Sequence, residues 1–286
     1  MKLFTFRGVD VKGDRLFILM LIFLAFVNVL PQALIMFAVV LIHELSHTLT
    51  AQHYKVAIQE VVLFPFGGVA KLDFLQVDSH EEIRIALAGP LTNFFLAGLA
   101  MAIGYYWQSD YWLPFFMRLN LVMGTFNLLP VLPLDGGRIL RAWYAKRIGL
   151  YNATKKAAYY GKIVAVLLVL ISVCGLYLRL WDLNAVSMAA FLFFSAGEED
   201  RTASFHFIRY LLRKKDIILK ENILNLKAVY TRDDVSINDV LPHIVPNNYH
   251  LFYVFNNKGQ LLSQVSEEKL IETYFNRGGA VTMADI

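Results

Sequence analysis

Apolar positions in this chain fall in long unbroken runs rather than alternating with polar ones, at about residues 16–30, 33–50, 83–107, 112–132, 163–177 and 183–195. A bilayer core asks for about 20 consecutive apolar residues per helix, so the pattern predicts six spans. The first is short, roughly 15 residues or ~22 Å of helix, and Asn28 with Pro31 permits either a turn or a kink before the second. Beyond Glu198-Glu199-Asp200-Arg201 the pattern changes to polar. A basic helix is expected over 202–219, then strand 227–230, helix 237–244, strand 250–255, a turn at 256–259, strand 260–265 and helix 267–275. The expected fold is mainly α, a polytopic membrane protein with six transmembrane helices and a small cytoplasmic α+β domain. It divides into a membrane domain at 1–197, a linker helix at 198–224 and a terminal domain at 225–286.

Composition agrees with a membrane protein: 57% of the 286 residues are hydrophobic and only 17% charged, with a mean hydropathy of +0.49, which excludes an ordinary soluble enzyme. The net charge of +4 does not point to nucleic acid, because the basic residues cluster beside apolar runs. Lys2, Arg7, Lys12 and Arg15 precede the first run; Lys55, Lys71 and Arg84 follow the second; Arg138, Arg141, Lys146, Arg147, Lys155, Lys156 and Lys162 follow the fourth. With a hairpin at Pro31 all of these lie on one side, and the positive-inside rule makes that side, and both termini, cytoplasmic. The amino-terminal run lacks a small-residue cleavage site and reads as a retained span. The single cysteine, Cys174, is expected to be a small buried hydrophobe.

Within the second run stands His43-Glu44-Leu45-Ser46-His47. Helix positions four apart return to one face with about 40° of excess rotation, so both imidazoles can serve one Zn²⁺ while Glu44 stands beside them as general base. Ionisable groups in a membrane segment are costly and mark function. A third ligand is required, leaving one position open. Asp135 fits: it ends the fourth run, which crosses in the same direction as the second, so its carboxylate falls at the histidines' level. Pro130, Pro133 and Gly136-Gly137 predict locally unwound backbone there. Capping a helix at the membrane edge is the alternative role for Asp135. His53, His80, His206, His243 and His250 lie off the face, in loops or in the tail, and are not expected to bind the metal.

Residues 58–74 are β-branched and aromatic, with Gly67-Gly68 as the expected turn of a hairpin that could offer an edge to an extended substrate. An interfacial loop is the alternative.

The ordered motifs Val40 to His47, Leu87-Ala88-Gly89-Pro90-Leu91-Thr92-Asn93, and Asn127-Leu128-Leu129-Pro130 with Pro133-Leu134-Asp135-Gly136 resemble the site-2 protease family of intramembrane zinc metalloproteases. The resemblance covers residues 15–200. It implies one Zn²⁺ per chain on His43, His47 and Asp135, with Glu44 catalytic. It also implies substrate or oxyanion contacts among Asn127, Asn93, Pro133, Phe66, Gly67 and Gly68. For Asn127, capping the broken helix is the alternative, and Asn93 could instead bond unwound backbone. Leu63-Phe64-Pro65-Phe66-Gly67-Gly68, the six-span plan without an inserted PDZ domain and the appended tail are similar to the branch that processes a sigma-factor precursor during sporulation. That branch implies the mother-cell membrane around the forespore as location and inhibitory membrane proteins as partners.

The tail resembles one CBS repeat. Such repeats pair, which implies a homo-oligomer. Family tails also imply adenine-nucleotide sensing, but Ser266 is followed by Lys269 where an Asp would be expected, which argues against ATP; a docking module without ligand is the alternative. No nucleotide-binding residue is assigned. Other readings are a site-2-type protease cutting a transmembrane anti-sigma factor, an inactive scaffold, which would need damage to Glu44 or a ligand, and a metal transporter, which would need more polar residues along the spans.

Overall fold

A computed structural model describes residues 2–6, 9–13, 15–56, 58–64, 67–72, 78–106, 111–180, 183–220, 225–246 and 248–286. They form two compact units, 1–139 and 140–286.

The first unit begins with strands β1 (Lys2–Phe6) and β2 (Val9–Gly13), followed by helices α1 (Arg15–Phe26) and α2 (Leu30–His53). Asn28 lies between the helices at φ 59°, a left-handed conformation Asn tolerates well, and Pro31 sits in the first turn of α2. The sequence's turn-or-kink ambiguity thus resolves as a turn. Strands β3 (Ile58–Phe64) and β4 (Gly67–Leu72) follow, and the sheet order is β1-β2-β3-β4 with β2 and β3 parallel. The hairpin is where the sequence put it, but its turn is not. Phe64 pairs with Gly67 and Leu63 with Gly68, so the two glycines open β4 rather than making the bend. Strand β4 packs along α2. Helices α3 (Ser79–Tyr106) and α4 (Trp112–Asn127) complete the unit, and α5 (Asp135–Ile148) starts within it.

Among the described residues, three helices are long and apolar enough to cross a membrane: α2, α3 and α6 (Leu150–Tyr177), of 24, 28 and 28 residues. Their packing is inverted relative to a soluble protein. Along the apolar part of α3 from residue 89 on, the buried positions are Gly89, Pro90, Asn93, Ala97 and Ala100, while Leu91, Phe95, Leu99 and Met101 face outward. Helices in lipid gain nothing by burying leucine, so small and polar residues occupy the contacts.

In the second unit α6 packs along α7 (Leu183–Lys220). The α6 contact face is Ala153, Ala157, Gly161, Ala165, Ser172 and Gly175; α7 contributes Ala189, Leu192, Ala196 and Ala203. Cys174 corrects an expectation: it is exposed, because Ser172 and Gly175 hold the inward positions and Cys174 falls off that face. Helix α7 runs without a break through Glu198 to Lys220, with Lys162 Nζ of α6 bonded to Asp200 at 2.7 Å.

Strands β5 (Asn225–Arg232), β6 (Asn248–Phe255) and β7 (Leu261–Ser266) form a sheet in that order, β5 parallel and β7 antiparallel to β6. Short α8 (Ile237–Val240) and α9 (Glu267–Arg277) complete the pattern read from the sequence. The terminal part is tied to both helices. Lys214 Nζ of α7 lies 2.7 Å from Glu267 Oε1 and donates to the Val245 carbonyl at 3.2 Å. Glu267 Oε2 accepts from His250 Nδ1 and backbone N, both at 2.8 Å, and His250 Nε2 accepts from Val245 N. Near the start of α6, Asn152 Nδ2 donates to the Pro242 carbonyl at 3.0 Å.

Candidate metal centre

Helix α2 presents His43 and His47 one turn apart, both 2% exposed. Thirteen residues, or about 20 Å of helix, separate His43 from the start of α2, and about 15 Å from its end, so the pair sits mid-helix. The hydroxyls of Ser46 and Thr48 donate to the carbonyls of Ile42 and Glu44, which lets a polar run persist in an apolar helix.

Asp135 comes from the other end of the unit. Helix α4 stops at Asn127, and residues 128–134 form an irregular connection before Asp135 opens α5. The unwinding predicted from the prolines is present, but Gly136 and Gly137 lie inside the first turn of α5. Their role is closeness rather than helix breaking. A Cβ on Gly136 would stand 2.2 Å from the Leu128 carbonyl oxygen, and one on Gly137 2.4 Å from Leu132 N. The connection folds back onto the helix start, and that brings the carboxylate to the histidines.

His43 Nε2 and His47 Nε2 are 3.1 Å apart, and each is 3.2 Å from Asp135 Oδ2. The other ring nitrogens are spoken for: His43 Nδ1 donates to Asn93 Oδ1 at 2.5 Å and His47 Nδ1 to the Ile85 carbonyl at 2.7 Å, both on α3. With Nδ1 protonated, both Nε2 atoms carry lone pairs. Asp135 Oδ2 is buried with no hydrogen-bond donor among the described residues. Three acceptors facing one another at this spacing repel unless a cation lies among them. Tetrahedral zinc with bonds of about 2.0–2.1 Å sets its ligand atoms about 3.3 Å apart, so the donor set and its spacing fit zinc. Three protein ligands leave the fourth position open, the mark of a catalytic site.

The neighbours serve this cluster. Asp135 Oδ1 faces Arg138 Nη1 at 4.0 Å. Glu44 lies close enough for the charges of His43, His47, Asp135 and Arg138 to act on it. Gly89 lets α3 come up against the imidazoles, since a Cβ there would stand 2.4 Å from His47 Nε2.

Of the other residues named from the sequence, Asn93 is fully buried, with both ends of its amide engaged on His43 and Asn120. It therefore bonds the His43 ring rather than unwound backbone. Asn127, the last residue of α4, has its Nδ2 donating to the Met123 carbonyl one turn back at 3.1 Å. Pro133 lies half-buried in the connection, two residues before Asp135. Gly67 and Gly68 are on β4, and Phe66 falls outside the described residues. His53 and His80 are exposed, and His250 is bonded to Glu267. Sequence reasoning missed Asn120 and the Ile85 carbonyl. The first had a signal, an amide inside an apolar run; a backbone acceptor has none.

Comparison with known proteins agrees with the geometry. The model of peptidase family M50 matches residues 31–118 and 105–171. Zinc metalloprotease MJ0392 of Methanocaldococcus jannaschii is 30% identical over 267 residues, covering 90% of this chain and 75% of the relative. Stage IV sporulation protein FB of Bacillus subtilis is 27% identical, covering 83% and 81%. The solved site-2 protease from Methanocaldococcus jannaschii superposes with a TM-score of 0.56 at 32% identity, covering 70% of this chain and 94% of that one. A cluster on α2 and α5 that could hold a metal, its histidines braced by α3, and a relative this similar along nine-tenths of the sequence lead to one conclusion: the chain belongs to the M50, site-2 protease family of zinc metalloendopeptidases.

Proposed function

We propose that this protease cuts a membrane-associated protein within the bilayer, near its cytoplasmic side, and that its substrate is a sigma-factor precursor processed during sporulation. The observation that carries the intramembrane reading is the position of His43, Glu44 and His47 midway along a 24-residue apolar helix. The narrower substrate rests on the likeness to stage IV sporulation protein FB along 83% of the chain. A transmembrane anti-sigma factor is the competing substrate.

His43, His47 and Asp135 would hold the zinc, which when bound supplies a Lewis acid that polarises the scissile carbonyl and makes a water acidic enough to attack near neutral pH. Glu44 takes a proton from the attacking water onto its carboxylate and delivers it to the leaving amide nitrogen, so the base of the first step is the acid of the second. Asn127 Nδ2 keeps a second hydrogen beyond its bond to Met123 with which to meet the carbonyl oxygen as charge develops. An unwound substrate segment would pair with β4, the edge strand that packs along α2.

The six-span plan with both termini cytoplasmic is part of the proposal, supported by the one-sided basic clusters. So is a division of labour among a protease domain over 1–197, a connecting helix over 198–224 and a CBS-like module over 225–286. We propose that the module pairs with a second copy, because its sheet carries exposed Leu226, Tyr230, Leu261 and Leu262. Ser266 accepts from Lys269 N as the cap of α9, and no ATP site is proposed. In a spore former the enzyme would reside in the mother-cell membrane around the forespore, held by inhibitory membrane proteins.

The test is co-expression with a sporulation sigma-factor precursor and, separately, a transmembrane anti-sigma factor, wild type against Glu44→Gln. Cleavage of the precursor by wild type alone, with zinc retained in both, is expected. Turnover by pure Glu44→Gln would sink the mechanism, and cleavage of the anti-sigma factor alone would replace the substrate.

A further inference from the structure

We infer that Asn120, acting through Asn93, is a positioning residue that decides which nitrogen of His43 is free to bind the metal. The inference rests on the zinc peptidase reading and adds to it a residue outside the three motifs.

Asn120 is fully buried on α4, in a helix whose other buried residue is Gly124. A Cβ at Gly124 would lie 3.2 Å from Asn93 Cβ and the Phe94 ring, so this glycine lets α4 approach α3 closely enough for two amides to meet. They form a line: Asn120 Nδ2 donates to the Phe116 carbonyl at 2.9 Å, Asn93 Nδ2 donates to Asn120 Oδ1 at 2.9 Å, and Asn93 Oδ1 accepts from His43 Nδ1 at 2.5 Å.

The direction of this line is not arbitrary. A side-chain amide can be turned end for end, but a backbone carbonyl can only accept. The Phe116 oxygen therefore fixes Asn120 with its NH₂ toward Phe116 and its oxygen toward Asn93. That oxygen in turn fixes Asn93 with its NH₂ toward Asn120 and its oxygen toward His43. His43 must then place its ring proton on Nδ1 and leave a lone pair on Nε2, the atom 3.2 Å from Asp135 Oδ2. Reversing Asn93 would aim an N–H at Nδ1, drive the ring proton to Nε2 and close the ligand position. It would also set two amide oxygens against each other. A buried amide pair would be costly in an apolar helix if it merely filled space; here each end has one partner and the order carries information from backbone to metal ligand.

The experiment uses the full chain in detergent, with zinc affinity read by competition with a chromophoric chelator and the cobalt-substituted protein read by its visible absorption. Asn120→Leu makes α4 more apolar, which favours insertion, but frees Asn93 to turn. Zinc Kd should rise about tenfold, the scale expected for loss of a ligand's outer partner, with an altered cobalt spectrum. Asn120→Asp keeps an acceptor toward Asn93 in either protonation state and should stay within about twofold of wild type by the same measure. In an Asn93→Asp background, where either end of the side chain accepts, adding Asn120→Leu should cost nothing further. A wild-type Kd in Asn120→Leu, equal losses in both Asn120 variants, or an undiminished effect in the Asn93→Asp background would each overturn the inference. A wild-type chain that takes up no metal would instead overturn the zinc reading itself.

Discussion

Replacing Gly89 by alanine adds one methyl group, and the structure gives reason to expect it to disable the enzyme while leaving the fold nearly as stable. The new Cβ would stand 2.4 Å from His47 Nε2 and 2.6 Å from Cε1 of both His43 and His47. An unstrained contact needs about 3.4 Å or more, so helix or rings must give by about 1 Å. If α3 withdraws, it takes with it the Ile85 carbonyl and Asn93, which hold the two imidazoles at 2.7 and 2.5 Å; lengthening these by about 1 Å ends them as hydrogen bonds. If the rings move instead, the 3.1–3.2 Å ligand triangle opens. Overpacking costs about 1–3 kcal/mol, partly offset by the roughly 1 kcal/mol that Ala gains over Gly inside a helix. A displacement of about 1 Å costs about 100-fold in turnover, and lost ring partners cost about 10–100-fold in zinc affinity. Zinc Kd by chelator competition, cleavage rate and thermal midpoint should therefore separate, the first two falling far and the third little. Gly98→Ala in the same helix is the control, since none of the described residues lies within 4 Å of its Cβ. Equal zinc affinity and turnover in the two variants would refute the reasoning.

Asp135→Asn should lose zinc to a chelator that wild type resists, because the one anionic ligand is gone; metal content per chain after dialysis checks it. Stripping wild type with chelator should abolish cleavage and lower the thermal midpoint, with zinc at about 100 times Kd returning about 2.7 kcal/mol; an unchanged midpoint would mean the cluster does not bind zinc in the folded state. Lys214→Met leaves the fully buried Glu267 carboxylate without its cation and should destabilise the terminal part by about 3–5 kcal/mol. Adding Glu267→Gln should recover most of that loss, with proteolysis of the tail as the measure.

The cluster was legible because His43 and His47 share a face by helix periodicity, and the structure brings to them Asp135, the carboxylate expected from the end of the fourth run. Its bracing was not. Ile85 contributes a main-chain oxygen, which no side chain announces. Asn120 stands in an apolar stretch where only its cost hinted at a purpose. The amino-terminal strands had a readable signal, two five-residue runs, Lys2–Phe6 and Val9–Gly13, separated by two residues, but their basic residues were read only as the positive flank of the first span. The pairing of β2 with β3 joins segments far apart in sequence and was out of reach. The glycines of the β3–β4 hairpin and of α5 were read by propensity, as a bend and a helix breaker. Tertiary closeness set their places instead.

Helix α7 continues unbroken from its apolar half to Lys220, and the terminal sheet is held at two places: Lys214 on α7 grips Glu267 and Val245, and Asn152 on α6 grips Pro242. A body fastened at one point can swivel about any axis; fastened at two, it keeps only the rotation about the line that joins them. A pull on the terminal part away from that line is therefore shared between α6 and α7 through Asn152 and Lys214.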